Sequence, residues 1–292
     1  MMFRGCGTAL VTPFHADGSL DEATLRKLLQ RQIDARINFL VPCGTTGESP
    51  TLTKQEHLRV VEITVEEAAG KTPVLAGCGG YNTAELVEMA KALNALKVDG
   101  LLSVTPYYNR PAPQGLLAHY EAIAAATPLP IILYNIAGRT GRNIPTPELL
   151  RLAEIETIVG VKEASGSISQ VAEVCQYTPD DFVVLSGDDA VTLPLMSLGG
   201  VGLISVASNE IPAEMAQICD LALKGNFADA LDIHRKFYPL MDVNFCESSP
   251  GPVKYAMAQM GLLESNYRLP IAPISAESRA KVDAVLSQLE LV

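Results

Sequence analysis

The sequence has no apolar run of the roughly 18 residues that a membrane-spanning helix needs. Its first residues, "MMFRGCGTALVTPF", carry a single basic residue and lead directly into a strand-like segment. Cleavable signal peptides have a basic start followed by a longer apolar stretch, so this start does not match one. We therefore predict a cytoplasmic protein with no membrane partner.

Basic residues are also in short supply. The 22 lysines and arginines are outnumbered by 33 aspartates and glutamates, which gives a formal net charge of −11. Nucleic acids and anionic membranes are bound by basic surfaces, so neither is expected as a partner. An acidic substrate would have to be held by local cations or backbone N–H groups.

Patterns of metal ligands are missing as well. The chain has four histidines and six well-separated cysteines, with no Cys-x-x-Cys or His-x-x-x-His pair. Structural and catalytic zinc sites usually show such spacings, so we predict no metal. The cysteines are expected to be reduced and mostly buried thiols.

What the sequence does contain is a short apolar segment that recurs eight times. Each segment is rich in valine, isoleucine and leucine on both faces, which is typical of parallel strands covered by helices on both sides. The predicted strands span residues 8–14, 37–44, 72–79, 99–106, 129–135, 157–164, 181–189 and 201–208.

Segments with helical spacing lie between these strands. In residues 21–36, Leu25, Leu28 and Leu29 fall on one apolar stripe. Thr53 is followed three residues later by Glu56, which predicts a capping box at a helix start. The predicted helices span residues 21–36, 53–69, 82–96, 113–126 and about 211–224.

Eight strand–helix units predict a (β/α)₈ TIM barrel over residues 1–224. Residues 225–292 would then form a C-terminal extension of two or three helices packed on the barrel. An open doubly wound sheet is the second choice. It is disfavoured because "GCGGYN" (77–82) lacks the last glycine of a dinucleotide-binding turn.

Chemistry in such barrels takes place at the carboxyl ends of the strands, where Lys162 follows the apolar run 158–161. A buried lysine has a lowered pKa, and its neutral amine can attack a ketone or aldehyde to form a Schiff base. Val159 and Val161 would form the apolar wall beside that amine. The alternative is a lysine that reaches solvent or pairs with Glu163.

The segment "GTTGE" (44–48) predicts an anion-binding turn after the second strand. Gly44 and Gly47 allow a tight turn with exposed N–H groups, and Thr45 and Thr46 add hydroxyls. Because the Gly-Lys-Ser/Thr of a nucleotide loop is missing, a small carboxylate is the expected ligand. The alternative is an ordinary turn that leads into a helix.

Tyrosines follow the fourth and fifth strands. Tyr134 is a candidate proton shuttle, because a phenol both donates and accepts hydrogen bonds. The alternative for Tyr134 is a rim aromatic that covers the core. Tyr107 and Tyr108, in a segment interpreted as extended, would point in opposite directions, so at most one of them shares a pocket with Tyr134.

Arg139 lies in "AGRTG", flanked by Gly138 and Gly141 in a predicted loop over the barrel mouth. A guanidinium there can hold a substrate carboxylate through two parallel hydrogen bonds. The alternative is a solvated loop arginine.

Nine of these motifs occur in one order along nearly the whole chain: "VTPF", "GTTGES", "TPYYNRP", "ILYN", "RTG", "GVKEASG", "LSGDDA", "GLISV" and "GPVKYA". In that order they resemble the dihydrodipicolinate synthase/N-acetylneuraminate lyase family of Schiff-base barrels. The resemblance implies a covalent lysine–pyruvate imine, with no metal or organic cofactor.

The resemblance also implies roles for individual residues. Lys162 would bind pyruvate as the imine, and Tyr134 would act as general acid and base. Thr45 and Tyr108 would complete a proton relay, with Tyr108 reaching into the site of a neighbouring subunit. The backbone of Gly44–Thr46 and the Thr46 side chain would hold the pyruvate carboxylate, while Gly187 and Ile204 would line the pocket. The family further implies a homotetramer built as a dimer of dimers.

Arg139 decides the expected second substrate. In the family, synthases use the arginine after "YN" for the carboxylate of L-aspartate 4-semialdehyde, and sialic-acid lyases lack it. We therefore expect condensation of pyruvate with this semialdehyde in the diaminopimelate route to lysine, although Ala137 and Gly138 imply a looser loop than in many synthases. Another pyruvate-dependent aldolase, for 2-keto-3-deoxy sugar acids, hydroxy-oxoglutarate or N-acetylneuraminate, is the alternative. A non-catalytic binding barrel is the third.

Residues of a candidate regulatory site also follow from the resemblance. Ser49, His57, Glu85 and Tyr107 match the family pattern for inhibition by lysine. Pro50, Lys54 and Tyr81 depart from it, and an added cation and a bulky phenol disfavour a cationic ligand. The hypothesis is therefore weak or absent inhibition by lysine.

Overall fold

The computed structural model describes residues 2–292, in which eight parallel strands alternate with helices. The strands are β1 (Gly5–Ala9), β2 (Phe39–Val41), β3 (Leu75–Gly77), β4 (Gly100–Val104), β5 (Ile131–Asn135), β6 (Ile158–Glu163), β7 (Val183–Ser186) and β8 (Gly202–Ser205). The helices are α1 (Glu22–Asp34), α2 (Lys54–Ala68), α3 (Thr83–Ala95), α4 (Pro113–Ala124), α5 (Ala137–Thr140), α6 (Thr146–Leu152), α7 (Ile168–Tyr177), α8 (Thr192–Ser197), α9 (Pro212–Leu223), α10 (Phe227–Val243), α11 (Gly251–Gln259) and α12 (Ala276–Gln288).

The sheet curves into a barrel. Its strand order is β2-β1-β8-β7-β6-β5-β4-β3, so β2 and β3 stand at the two ends. These ends meet at a parallel bridge between Leu40 and Val74, where the Leu40 N–H donates to the Pro73 carbonyl at 2.8 Å. The predicted (β/α)₈ barrel is confirmed, and the open doubly wound sheet is wrong.

The helices follow the sequence pattern closely, because their signals are local. At the start of α2, the Thr53 side chain accepts the Glu56 N–H while the Glu56 carboxylate accepts the Thr53 N–H. This is the predicted capping box, which satisfies two N–H groups that the helix itself cannot. Each predicted helix end lies within two residues of the observed one.

The first strand was misplaced by the sequence pattern. β1 covers Gly5–Ala9, whereas the prediction was residues 8–14. Val11 is apolar for another reason: it packs in a small core cluster with Val253 and Met257 of α11. The apolar run therefore continues past the strand into a segment that the C-terminal helices cover.

The core has two layers, inside and outside the barrel. The interior is filled by side chains from alternate strand positions, among them Phe39, Leu75, Ile132 and Leu185. A larger cluster lies between the sheet and the surrounding helices. Four of the six cysteines are buried, as predicted.

Three helices, α10 to α12, follow the eighth strand–helix unit and pack on the barrel and on each other. We propose that the barrel ends after α9 and that residues 225–292 form the C-terminal extension. Throughout residues 2–292, no helix combines the length and apolar character needed to cross a membrane.

Candidate active site

A small central cavity of about 50 Å³ lies at the carboxyl ends of the strands. Side chains from most of the strand ends, and two from the C-terminal extension, converge on it. Its lining consists of Ala9, Val41, Gly44, Thr45, Thr46, Leu102, Tyr134, Ile136, Arg139, Lys162, Gly187, Val206, Phe245 and Ser249.

Lys162 points into this cavity from within β6, and not from a position after the strand. It is 5% exposed, and its Nζ lies 4.2 Å from the centre of the Tyr134 ring. Burial lowers its pKa to about 8. The negative charge of Asp189 raises the pKa, and the positive charge of Arg139 lowers it further. A useful fraction of the amine is therefore neutral near neutral pH. The interpretation of a solvated lysine is wrong.

Glu163 is not the partner of this lysine. Its carboxylate accepts hydrogen bonds from Asn135 Nδ2 at 3.1 Å and from the Ser165 N–H at 2.6 Å. Because successive strand residues point to opposite faces, Glu163 and Lys162 lie on opposite sides of β6.

The apolar wall around Lys162 differs in part from the predicted one. Val161 belongs to the outer core between sheet and helices, since it alternates with Lys162 along the strand. Val159 packs against the interior cluster, next to a register shift between β5 and β6.

Gly187 gives Lys162 the room it occupies. A Cβ at this position would lie 2.7 Å from the Ala164 Cβ and 3.1 Å from the Lys162 Cε. Any larger residue would push against the lysine side chain, so glycine is required by the packing of the cavity.

Tyr134 stands opposite Lys162 in the register of β5 and β6. Burial raises the pKa of its phenol to about 12, and the Arg139 charge and the Thr45 side chain act in the opposite direction. The phenol is therefore protonated at neutral pH and can donate to a neighbouring oxygen or nitrogen. Tyr134 is 6% exposed and lies in the interior cluster beside the amine, so it is not a rim residue, and its role as a proton shuttle stays a prediction.

The Gly44–Glu48 turn forms one wall of the cavity. The Gly47 N–H donates to the Gly44 carbonyl at 3.2 Å, and the Glu48 N–H donates to the Thr45 carbonyl at 3.1 Å. The Thr12 hydroxyl donates to the Gly47 carbonyl at 2.7 Å and ties the turn to the chain after β1. Thr45 and Thr46 line the cavity beside this backbone.

Arg139 lies in the short helix α5, where the sequence predicted a loop. Its Nη2 donates to the Ser249 carbonyl of the C-terminal extension at 3.4 Å. Arg139 also lines an adjoining cavity of about 480 Å³, which shares Ile136, Gly187 and Phe245 with the central one. A guanidinium at this junction can bind an anionic group of a molecule that enters from the larger space.

Two predicted residues do not line the central cavity. Tyr108 is 91% exposed with a φ of +65°, so the Tyr107–Tyr108 segment is not extended as assumed. Ile204 lies deeper, in the barrel interior with Tyr134, and Val206 lines the cavity instead. The other seven predicted residues do line it, and the roles assigned to all nine remain predictions.

The four candidate regulatory residues line a separate side cavity of about 600 Å³. Ser49, His57, Glu85 and Tyr107 are joined there by the three departures from the family pattern, Pro50, Lys54 and Tyr81. The Tyr81 and Tyr107 rings meet edge to face, with centres 5.2 Å apart.

The C-terminal extension contributes residues that sequence reasoning missed. Phe245 and Ser249 line the central cavity, and Lys254 of α11 makes an ion pair with Glu48. The available signal was the lysine in "GPVKYA", which lies in an otherwise apolar helix segment. Across the described chain, residues 2–292, no cluster of three or more histidine, cysteine, aspartate or glutamate side chains is placed to hold a metal ion.

Comparison with known proteins shows that the chain is similar to other proteins over nearly its whole length. The model of the dihydrodipicolinate synthetase family matches residues 2–289. The chain is 53% identical over 289 residues to the 4-hydroxy-tetrahydrodipicolinate synthase of Koribacter versatilis (strain Ellin345), which covers 99% of this chain and 96% of the relative.

Solved structures are similar over the same length. The pyruvate complex of dihydrodipicolinate synthase from Acinetobacter baumannii superposes with a TM-score of 0.97 at 39% identity, over 99% of both chains. A monomeric dihydrodipicolinate synthase variant also gives 0.97, at 40% identity, over 100% of this chain and 98% of the other.

Proposed function

The chain belongs to the dihydrodipicolinate synthetase family, and we propose that it condenses pyruvate with L-aspartate 4-semialdehyde to 4-hydroxy-tetrahydrodipicolinate, on the diaminopimelate route to lysine. The observation that carries this proposal is the setting of Lys162. Its amine is buried with a pKa lowered to about 8, in a cavity that it shares with Tyr134, Arg139 and the Gly44–Glu48 turn.

The first half of the reaction takes place on pyruvate. The neutral Lys162 amine attacks the ketone carbon, and water leaves to give an imine. The protonated imine withdraws electrons, so a methyl proton is lost, with Tyr134 relaying it, and an enamine forms. The N–H groups of the Gly44–Thr46 backbone and the Thr46 hydroxyl hold the pyruvate carboxylate throughout.

The second half joins the two substrates. Arg139 holds the carboxylate of the semialdehyde, so that its aldehyde carbon lies within reach of the enamine carbon. The new carbon–carbon bond regenerates an imine on Lys162. The amino group of the former semialdehyde then attacks the imine carbon, closes the ring and releases the lysine. No metal or organic cofactor takes part, because the lysine imine itself accepts the electrons.

Tyr108 bears on the assembly. It is 91% exposed and lies outside the central cavity of its own chain, so its role in the Thr45–Tyr134 relay requires another subunit. A homotetramer built from tight dimers would supply that subunit, and the cytoplasm is the compartment that suits a biosynthetic enzyme of this kind.

The experiment that tests the function is reductive trapping. The protein is incubated with pyruvate and borohydride, its intact mass is measured, and turnover of L-aspartate 4-semialdehyde is then assayed. We expect one reduced pyruvate adduct on Lys162 and rapid turnover, and Arg139→Ala should keep the adduct while weakening use of the semialdehyde. The absence of any adduct would refute the proposal.

A second candidate is another pyruvate-dependent aldolase, and the adjoining cavity of about 480 Å³ favours it, because it offers space for a longer substrate. An adduct without turnover of the semialdehyde, together with cleavage of a 2-keto-3-deoxy sugar acid, would support this candidate.

Regulation by lysine is proposed to be weak or absent. In the side cavity the Lys54 ammonium and the Tyr81 ring lie among Ser49, His57 and Glu85, where they oppose a cationic ligand by charge and by volume. We expect no inhibition by lysine up to low millimolar concentrations, measured as initial rate against lysine. Tyr81→Asn combined with Lys54→His should increase the sensitivity, and strong inhibition of the natural protein would contradict this hypothesis.

A further inference from the structure

Lys254 is a second buried lysine, for which the proposed reaction has no use. It lies in α11 of the C-terminal extension and is 0% exposed. Its Nζ donates to Glu48 Oε1 at 2.7 Å and to the Thr12 carbonyl at 3.0 Å. The ammonium also stands 4.6 Å from the centre of the Phe14 ring, on the chain after β1. The extension thus reaches two segments at the barrel mouth through one charged group.

Glu48 is the last residue of the Gly44–Glu48 turn and is 2% exposed. Its second carboxylate oxygen, Oε2, accepts the backbone N–H of Arg268, also in the extension, at 3.2 Å. Its backbone has a φ of +53°, a conformation that residues other than glycine rarely adopt without support from their surroundings. Both oxygens of the carboxylate are therefore held by the extension while the backbone closes the turn.

A buried ion pair is a poor way to gain stability. Removing two charges from water costs free energy that their mutual attraction only partly returns. Such a pair is therefore often no more stabilising than well-packed apolar side chains of similar volume. What the pair does provide is a fixed geometry, because a misplaced charge cannot be tolerated in the interior. Glu48, whose position the pair fixes, follows Thr45 by three residues and Thr46 by two. Both threonines line the central cavity.

We propose that Lys254 and Glu48 are positioning residues, and that their ion pair lets the C-terminal extension hold the Gly44–Thr46 backbone in the orientation that binds the substrate carboxylate. The identity of that carboxylate as pyruvate rests on the proposed function. Arg139 contacts the extension at a different residue, the Ser249 carbonyl at 3.4 Å, so the pair is expected to act on pyruvate binding more than on binding of the semialdehyde.

The experiment measures the affinity for pyruvate in Lys254→Met, Glu48→Gln and the double variant. Trapping with borohydride over a range of pyruvate concentrations gives the concentration for half-maximal adduct, and steady-state assays give KM for both substrates. Lys281→Met and Glu277→Gln are matched controls, because these residues form an exposed ion pair in α12 of the same extension. Lys254→Arg and Glu48→Asp keep the charges and serve if the neutral variants fail to fold.

We expect each single variant to raise the half-maximal pyruvate concentration by roughly tenfold, since a small displacement of a binding group has a large effect on reaction and binding. The KM for the semialdehyde should stay within about twofold, and the double variant should lose less than the two single losses combined. Both controls should match the natural protein.

Three results would overturn the inference. One is an unchanged pyruvate affinity in folded variants that have only lost thermal stability, which would leave a purely structural pair. Another is an equal rise of both KM values. The third is the absence of a pyruvate adduct in the natural protein, which removes the proposed function and the inference with it. The first two results leave the proposed function intact.

Discussion

The barrel mouth and the C-terminal extension each bury a lysine, and the two lysines have different surroundings. Lys162 is 5% exposed and Lys254 is 0% exposed, and both have an aromatic ring within 5 Å of the amine. Burial lowers the pKa of both. Only Lys254, however, donates directly to a carboxylate, at 2.7 Å from Glu48.

The nearby carboxylate of Lys162 is occupied elsewhere. Asp189 accepts hydrogen bonds from the Ser205 hydroxyl and from the Val206 N–H, the latter at 3.0 Å. Its charge raises the pKa of Lys162 without outweighing burial. Burial alone therefore does not distinguish a nucleophile from a structural cation. The contact that does so is an ion pair, which stabilises the charged form of Lys254.

The largest effect is expected from removing the amine at the barrel mouth. Lys162→Met should abolish the pyruvate adduct and reduce turnover by at least about a thousandfold, because the covalent path is lost. The folded state should keep or gain stability, since it no longer buries an amine that is partly protonated. Intact mass after borohydride treatment and urea unfolding check both parts, and a full adduct in this variant would show that another amine is the nucleophile.

Removing the lysine of the extension is expected to lower the stability of the fold, whereas removing Lys162 is not. Lys254→Met should lower the free energy of unfolding by about 3–5 kcal/mol, because Glu48 is left buried without a counter-charge. Lys254→Met combined with Glu48→Gln should be more stable than Lys254→Met alone. Urea unfolding measures this, with Lys281→Met as a control expected to change stability by less than about 1 kcal/mol. Equal losses at Lys254 and Lys281 would contradict the comparison.

The smallest and most specific effect concerns the pH dependence of imine formation. Imine formation requires the neutral amine, so its rate should rise about tenfold per pH unit below the Lys162 pKa of about 8 and level off above it. A timed incubation with pyruvate, stopped by borohydride, measures this rate. Glu48→Gln should leave the midpoint unchanged, and a midpoint near the usual 10.5 would contradict the assignment.

Stability should follow the same titration. Between about 8 and 10.5 the unfolded chain binds a proton at Lys162 that the folded chain has lost, so the contribution of Lys162 to the free energy of unfolding rises with pH in this window. Below about 8 the full cost of protonating the buried amine is present. Lys162→Met lacks this contribution, so its free energy of unfolding relative to the natural protein should fall between the two ends of the window, as measured by urea unfolding.

Much of the fold was predictable because its signals are local. The helix limits follow from apolar stripes and from caps such as Thr53 and Glu56, and the eight apolar runs indicate eight strands. β1 was misplaced because Val11 is apolar for packing against α11 and not for a place in the sheet. Val161 was assigned to the wrong face because it alternates with Lys162 within β6.

The candidate site was predictable only in part. Motif order identified Lys162, Tyr134, Arg139 and the Gly44–Glu48 turn, and all of them lie at the central cavity. Phe245 and Ser249 were missed, since they come from the segment between α10 and α11, which is remote in sequence from the strand ends. Tyr108 lies at the surface, where its predicted role depends on a subunit outside the chain.

The sequence by itself determined the strand–helix repeat, and with it the end of the barrel where polar side chains gather, because periodicity and strand ends are local properties. It also placed Lys162 at the end of an apolar run, whereas Lys254 was not recognised. Only the tertiary structure showed that both lysines are buried and that Lys254 alone has an ion pair. The pKa of a buried amine depends on the charges that packing brings near it, and Glu48 is 206 residues away from Lys254 along the chain.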